Sequence, residues 1–114
     1  MSMSGTAWFM HRSMYDWIGG HDESLGFWGN CGVEMALKAW LSGKRVILDR
    51  SVVCWHHYKS KFNYSSKGFN LRKGRKQLQR MVRNRKLPHQ KYGMDWLLER
   101  FKPVPTWQEE ERKE

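Results

Sequence analysis

The sequence predicts an α/β domain with an incomplete sheet and trailing helices. Short apolar or β-branched runs alternate with segments of helical periodicity, an order that is typical of layered α/β structure. The chain has 114 residues, of which 39% are hydrophobic, so it can bury one small core. The predicted strands are too few to close a sheet. We therefore expect this chain to be one part of a larger fold.

Three runs are predicted to be strands or extended segments. Residues 6–10 form a short apolar and aromatic run that suits a buried strand. Residues 45–48 and 51–55 are β-branched or apolar runs, separated by Asp49 and Arg50. These runs supply the sheet of the predicted α/β domain.

Two helices are predicted in the first half of the chain. Met14, Trp17 and Ile18 fall at helical spacing just before a pair of glycines, which favours a short helix that ends there. The clearest helix covers residues 33–41, because apolar residues recur at i, i+4, i+7 and i+8, and Gly43 ends it. The glycine-rich segment between the two helices predicts a loop that turns sharply or approaches a ligand.

The second half is predicted to be a basic loop followed by two helices. Residues 59–74 are polar and poorly periodic, which indicates a loop. Residues 77–84 form a basic helix with a thin apolar stripe, and Pro88 stops it. Asp95 is placed to cap a final short helix that runs through Phe101.

Charge is unevenly distributed along the chain. The formal net charge is +10, and no Asp or Glu occurs from Arg50 to Met94. Such a block predicts an anionic partner, whether a phosphate, a nucleic acid or a membrane surface, although a solvated basic helix would look the same.

The two cysteines and the start of the chain bear on its compartment. Cys31 and Cys54 are too few for a disulfide scaffold and are not spaced as a CxxC metal pair. The first residues lack the basic flank and the long apolar run of a signal peptide, and no run is long enough to span a bilayer. We therefore expect a cytoplasmic protein, or one peripheral at the membrane surface.

The most specific pattern lies in the middle of the chain. In order, its residues are Gly19, Gly20, Asp22, Glu23, Trp28, Gly29, Glu34, Lys38, Trp40 and Gly43. This pattern resembles the GG-x-DE, WG and E-x-x-x-R/K-x-W-x-x-G segment of GT-A-fold glycosyltransferases of family 2 and of the related polypeptide N-acetylgalactosaminyltransferases. The likeness continues to residues 54–58, where that family places a metal-binding histidine. Residues 94–107 are more loosely similar to phage and bacterial members.

The resemblance implies a fold, an activity and a division of the chain. Residues 1–58 correspond to the C-terminal half of a GT-A catalytic domain, 59–76 to a basic loop, 77–107 to a helical extension and 108–114 to a charged tail. The implied activity transfers a sugar from a nucleotide-diphosphate donor to the hydroxyl of a saccharide, polypeptide or lipid-linked acceptor. The nucleotide-binding half with its Asp-x-Asp motif is absent from these residues. We therefore expect a truncated gene, a split subunit or a partial sequence that is inactive alone.

Glu34 is the candidate catalytic residue that the resemblance implies. Its carboxylate would remove the proton of the acceptor hydroxyl. The sequence departs from the family pattern, because the principal acidic position of the family is occupied by Cys31 or Gly32. Glu34 also lies in a first helical turn, four residues before Lys38, where a carboxylate serves equally well in an ordinary helix ion pair.

Three further residues are implied to bind substrate. Asp22, Trp28 and Gly29 would shape the pocket for the donor sugar and the acceptor. Flanking glycines favour an exposed Trp28 ring that stacks on a sugar, although a core position is the alternative. Asp22 could instead be a loop residue that bonds nearby amides.

A divalent cation, Mn²⁺ or Mg²⁺, is implied as the cofactor. Its charge would stabilise the leaving diphosphate, and His56 or His57 would donate one ligand. In a strand the two rings would point to opposite faces, so only one of them can bind the ion. The other ligands are expected from the absent half.

A different class of function explains the charge but not the motif. The chain could be a small nucleic-acid-binding module without catalysis, in which Phe62, Tyr64 and Phe69 lie among the cations and stack on bases. A weaker alternative is a transferase partner that docks on anionic lipid through the basic helix.

Overall fold

The described part of the computed structural model is helical. It covers residues 7–26, 29–57 and 71–103. Four α-helices and one short 3-10 helix follow one another in this part of the chain. They are α1 (Arg12–Trp17), the 3-10 helix (Glu23–Leu25), α2 (Cys31–Leu41), α3 (Leu71–Arg83) and α4 (Met94–Arg100).

The predicted α/β class was wrong for these residues, because none of them forms a strand. The segments 45–48 and 51–55 are extended but exposed, with Ile47 at 73% and Val53 at 72% of full exposure. In the predicted strand 6–10, the described residues 7–10 are also irregular, and Phe9 is 92% exposed. A strand is stabilised by a neighbour that pairs with its backbone groups, and no such ladder forms within the described ranges.

A tight turn separates the two extended segments. The Oδ1 atom of Asp49 accepts hydrogen bonds from the backbone N–H of Ser51 at 2.9 Å and from its hydroxyl at 2.6 Å. Hydrogen bonds from the Ser51 hydroxyl and amide lower the pKa of Asp49. The turn is thus fixed by local bonds, although the flanking segments lack a sheet.

The first two predicted helices are confirmed. Helix α1 matches the spacing of Met14 and Trp17, and Arg12 forms an exposed ion pair with Asp16 at 2.9 Å. Helix α2 begins at Cys31 and ends at Leu41, and Gly43 follows with a φ of 83°. A positive φ is disfavoured for residues with a Cβ atom, which explains the glycine after the helix.

Helix α3 begins at Leu71, earlier than the predicted start at residue 77. Its interior glycine, Gly74, is the reason that the helix packs closely on the 3-10 helix. A Cβ atom at this position would collide with the carbonyl oxygen of Leu25. The sequence pattern missed residues 71–76 because most of them are basic.

A core cluster joins the 3-10 helix, α2, α3 and α4. It contains Leu25, Leu41, Leu78, Val82, Leu87 and Leu97. The segment before α4 is tied to α2, because the backbone N–H groups of Lys91 and Tyr92 both donate to the carbonyl oxygen of Leu41. Among the described residues, no helix is long and apolar enough to cross a membrane.

Candidate functional site

A cleft of about 460 Å³ lies beside the start of α2. The residues that line it come from the loop before the 3-10 helix, from that helix and its C-cap, and from the first turn of α2. They are His21, Asp22, Glu23, Gly26, Cys31 and Glu34. The glycine-rich loop and the helix of the motif therefore meet at one place, and this volume is in the range of small-ligand sites.

Glu34 is buried at the back of this cleft, with 3% of its side chain exposed. Its Oε1 atom accepts a hydrogen bond from the backbone N–H of Asp22 at 2.8 Å and another from Nζ of Lys38 at 2.6 Å. Lys38 Nζ also donates to the carbonyl oxygen of Gly20 at 2.6 Å. The buried pair thus holds the backbone of the loop against α2, so the helix ion pair considered from the spacing is present and is buried.

His21 connects Glu34 to the opening of the cleft. Its Nδ1 atom lies 3.2 Å from Oε2 of Glu34, and 31% of its side chain is exposed. The rings of Trp8 and Tyr15 meet the imidazole edge-on, with centroid distances of 5.8 and 6.0 Å. A carboxylate only accepts hydrogen bonds, so Glu34 selects the His21 state that carries a proton on Nδ1.

The loop conformation depends on Gly20. This residue has a φ of 56°, and a Cβ atom there would lie 3.0 Å from the Tyr15 ring. The adjoining backbone N–H of His21 donates to the Tyr15 hydroxyl at 3.3 Å. Glycine therefore permits both the left-handed turn and the close approach of the aromatic ring.

Of the three residues predicted to bind substrate, the structure describes Asp22 and Gly29, and only Asp22 is among the residues that line the cleft. Asp22 lines the cleft, but its Oδ1 atom accepts from the backbone N–H of Ser24 at 2.9 Å and from its hydroxyl at 2.6 Å. Gly29 has a φ of 88°, and a Cβ atom there would strike the side chain of Leu71. Trp28 lies outside the described residues.

The predicted metal ligands lie in the extended segment after the Asp49 turn. His56 and His57 are both exposed. Within residues 7–26, 29–57 and 71–103, no three His, Cys, Asp or Glu side chains come together to hold a metal ion. The described residues therefore do not form a complete metal site, and they fit the implied ion only as the source of a single imidazole ligand.

The sequence analysis missed His21 as a site residue and one contact of Lys38. His21 occupies an unassigned position of the motif, and its contact with Glu34 spans 13 residues of loop and helix. Lys38 was recognised as an ion-pair partner, but its contact with the Gly20 carbonyl could not be read from helical spacing. The signal for His21 was the density of polar residues around the glycine pair.

Comparison with known proteins supports a relationship to glycosyltransferases. Over 66 residues, 58% of this chain, the sequence is 30% identical to a protein of Caenorhabditis elegans described as probable N-acetylgalactosaminyltransferase 8. The matched part is 16% of the length of that protein. No protein-family model and no solved structure matches the chain.

Proposed function

We propose that this chain supplies part of the sugar-binding and catalytic site of a metal-dependent glycosyltransferase. The observation that carries the proposal is the His21–Glu34 contact at the cleft, inside the motif that resembles transferases of this type. The similarity to a probable N-acetylgalactosaminyltransferase supports the same class. The proposed donor is a nucleoside-diphosphate sugar, with N-acetylgalactosamine as the first sugar to test.

The chemistry of transfer explains why such a pair is useful. A bond forms between the acceptor oxygen and the anomeric carbon, while the bond from that carbon to the phosphate oxygen breaks. The electron pair of the broken bond leaves with the nucleoside diphosphate. The acceptor hydroxyl must lose its proton, and a nearby base accelerates this step.

In the proposed site, His21 is the residue that accepts the proton of the acceptor hydroxyl. Two hydrogen bonds already occupy Oε1 of Glu34, and Oε2 faces the imidazole. With its Nδ1 proton donated to Glu34, the ring presents Nε2 as an acceptor. The acceptor proton passes to Nε2, and the buried carboxylate stabilises the resulting imidazolium. In this pair, Glu34 is the residue that orients His21.

Sugar binding is assigned to the same cleft. Asp22 and His21 offer polar atoms to sugar hydroxyls, and Gly26 lines the same cleft, where an added Cβ atom would meet no described residue within 4 Å. Trp28 and Gly29 belong to the proposed pocket by resemblance. A divalent cation would neutralise the leaving diphosphate. One imidazole, that of His56 or His57, would be a ligand of that ion.

Saturation-transfer NMR with UDP-N-acetylgalactosamine tests this function on the purified chain. We expect transfer to the sugar protons, which His21→Ala and Glu34→Gln reduce. His11→Ala is a matched control, because His11 is exposed at the start of α1 and does not line the cleft. The proposal is wrong if no sugar signal is observed, or if the three variants behave alike.

A further inference from the structure

Helix α3 has one apolar face and one basic face. On a helical projection of about 100° per residue, Leu71, Gly74, Leu78, Met81 and Val82 fall within an arc of about 100°. On the other side, an arc of about 120° holds five of the six basic residues of the helix and one glutamine. These residues are Arg72, Lys73, Lys76, Gln79, Arg80 and Arg83. We call this set the α3 basic face.

Most of the apolar face is buried within the protein. Leu78 and Val82 are both 2% exposed and belong to the core. Gly74 packs on the carbonyl of Leu25, and Gln77 Nε2 donates to the Ser24 hydroxyl at 2.6 Å. These contacts fix the rotation of α3 about its axis. The basic face is therefore held outward without a partner having to order it.

Four of the five cations on this face have no ion-pair partner among the described carboxylates. No described Asp or Glu forms an ion pair with Arg72, Lys76, Arg80 or Arg83. The surrounding sequence also contains no acidic residue from Arg50 to Met94. Like charges at this spacing repel one another. An external polyanion would relieve that repulsion.

The charge spacing fits a nucleic-acid strand. From Arg72 to Arg83 the helix rises by about 16 Å, at about 1.5 Å per residue. One strand of B-DNA carries a phosphate per about 3.4 Å of axis, so this length faces about five phosphates. Arginine also matches the geometry of a phosphate with its planar guanidinium.

We propose that the α3 basic face binds the phosphate backbone of double-stranded nucleic acid without sequence preference. A membrane surface fits less well, because interfacial helices insert an apolar face into the bilayer. The apolar face of α3 is already buried in the core. This surface lies on the side of α3 opposite its contact with the 3-10 helix, and its role does not depend on sugar transfer.

Fluorescence anisotropy with short labelled DNA duplexes of two unrelated sequences tests the proposal. If four phosphates are neutralised, log Kd should change with log salt with a slope of about 3.6. Affinity should then fall by about 150-fold between about 50 and 200 mM salt. In Lys76→Ala/Arg80→Ala, the slope should fall by about 2, roughly 1 for each lost contact.

A matched double variant distinguishes binding at the α3 basic face from a general effect of net charge. Arg45→Ala/Arg50→Ala removes the same charge from exposed residues outside α3, and it should leave the slope nearly unchanged. Circular dichroism confirms that both variants remain helical, since alanine favours helix. The proposal is overturned if both double variants lower the slope equally, if the duplexes do not bind, or if only vesicles containing anionic lipid bind.

Discussion

The ammonium group of Lys38 lies 2.6 Å from Oε1 of Glu34, and both side chains are almost completely buried. Removing one partner of such a pair leaves an uncompensated charge in the core. We expect Lys38→Met to lower the free energy of unfolding by about 3–5 kcal/mol. Urea unfolding followed by circular dichroism measures this loss.

The exposed pair of Arg12 and Asp16 provides the control for this experiment. Both side chains are more than half exposed, so Arg12→Ala should cost about 0–1 kcal/mol. Equal losses in Lys38→Met and Arg12→Ala would contradict the buried position of Lys38. A double change, Glu34→Gln/Lys38→Met, should recover part of the loss because it removes both charges.

His21 and His11 are expected to carry their protons on different nitrogen atoms. Nδ1 of His21 faces Oε2 of the Glu34 carboxylate at 3.2 Å, whereas Nδ1 of His11 accepts from the backbone N–H of Ser13. Long-range ¹H–¹⁵N NMR should therefore show the Nδ1–H form for neutral His21 and the Nε2–H form for neutral His11. Glu34→Gln should change the His21 pattern alone. The same tautomer at both histidines would refute this assignment.

Gly74 sets the distance between α3 and the 3-10 helix. Alanine normally stabilises a helix interior relative to glycine by about 0.5–1 kcal/mol. Here the added Cβ atom would collide with the Leu25 carbonyl, so we expect Gly74→Ala to destabilise the protein by about 1–3 kcal/mol. Arg75→Ala is the control on the same helix, because Arg75 is exposed. Thermal unfolding that shows Gly74→Ala to be stabilising would contradict this packing.

The helices could be predicted because local spacing determines them. The apolar residues of α2 recur on one face, and Gly43 marks its end, so both features are present in a short window of sequence. The strands could not be predicted in the same way. Residues 45–48 have the composition of a strand, but a strand also needs hydrogen bonds from a neighbour, and no window of sequence shows whether that neighbour is present.

The candidate site was predictable only in part. Glu34 and Lys38 are four residues apart, so their ion pair follows from helical geometry. The contact of Glu34 with the backbone of Asp22 depends on how the glycine pair turns the loop. Trp28 lies outside the described residues, and the roles proposed for Glu34, His56 and His57 remain predictions.

Manganese binding by the purified chain tests the role proposed for His56 or His57. One imidazole is a single donor, whereas Mn²⁺ takes about six ligands, mostly oxygen atoms. We therefore expect weak binding by the chain alone and tighter binding when a nucleoside diphosphate supplies phosphate oxygens. Paramagnetic broadening in NMR should be strongest at one of the two imidazole rings.

Single variants then identify the ligand. His56→Ala or His57→Ala should reduce the diphosphate-dependent binding of Mn²⁺ in calorimetric titrations, but only one of them should do so. His11→Ala and Glu34→Gln are the controls, because the first removes an unrelated exposed histidine and the second alters the proton-transfer pair. Unchanged Mn²⁺ affinity in both His56→Ala and His57→Ala would show that neither imidazole binds the ion, and the metal role proposed for this segment would then be wrong.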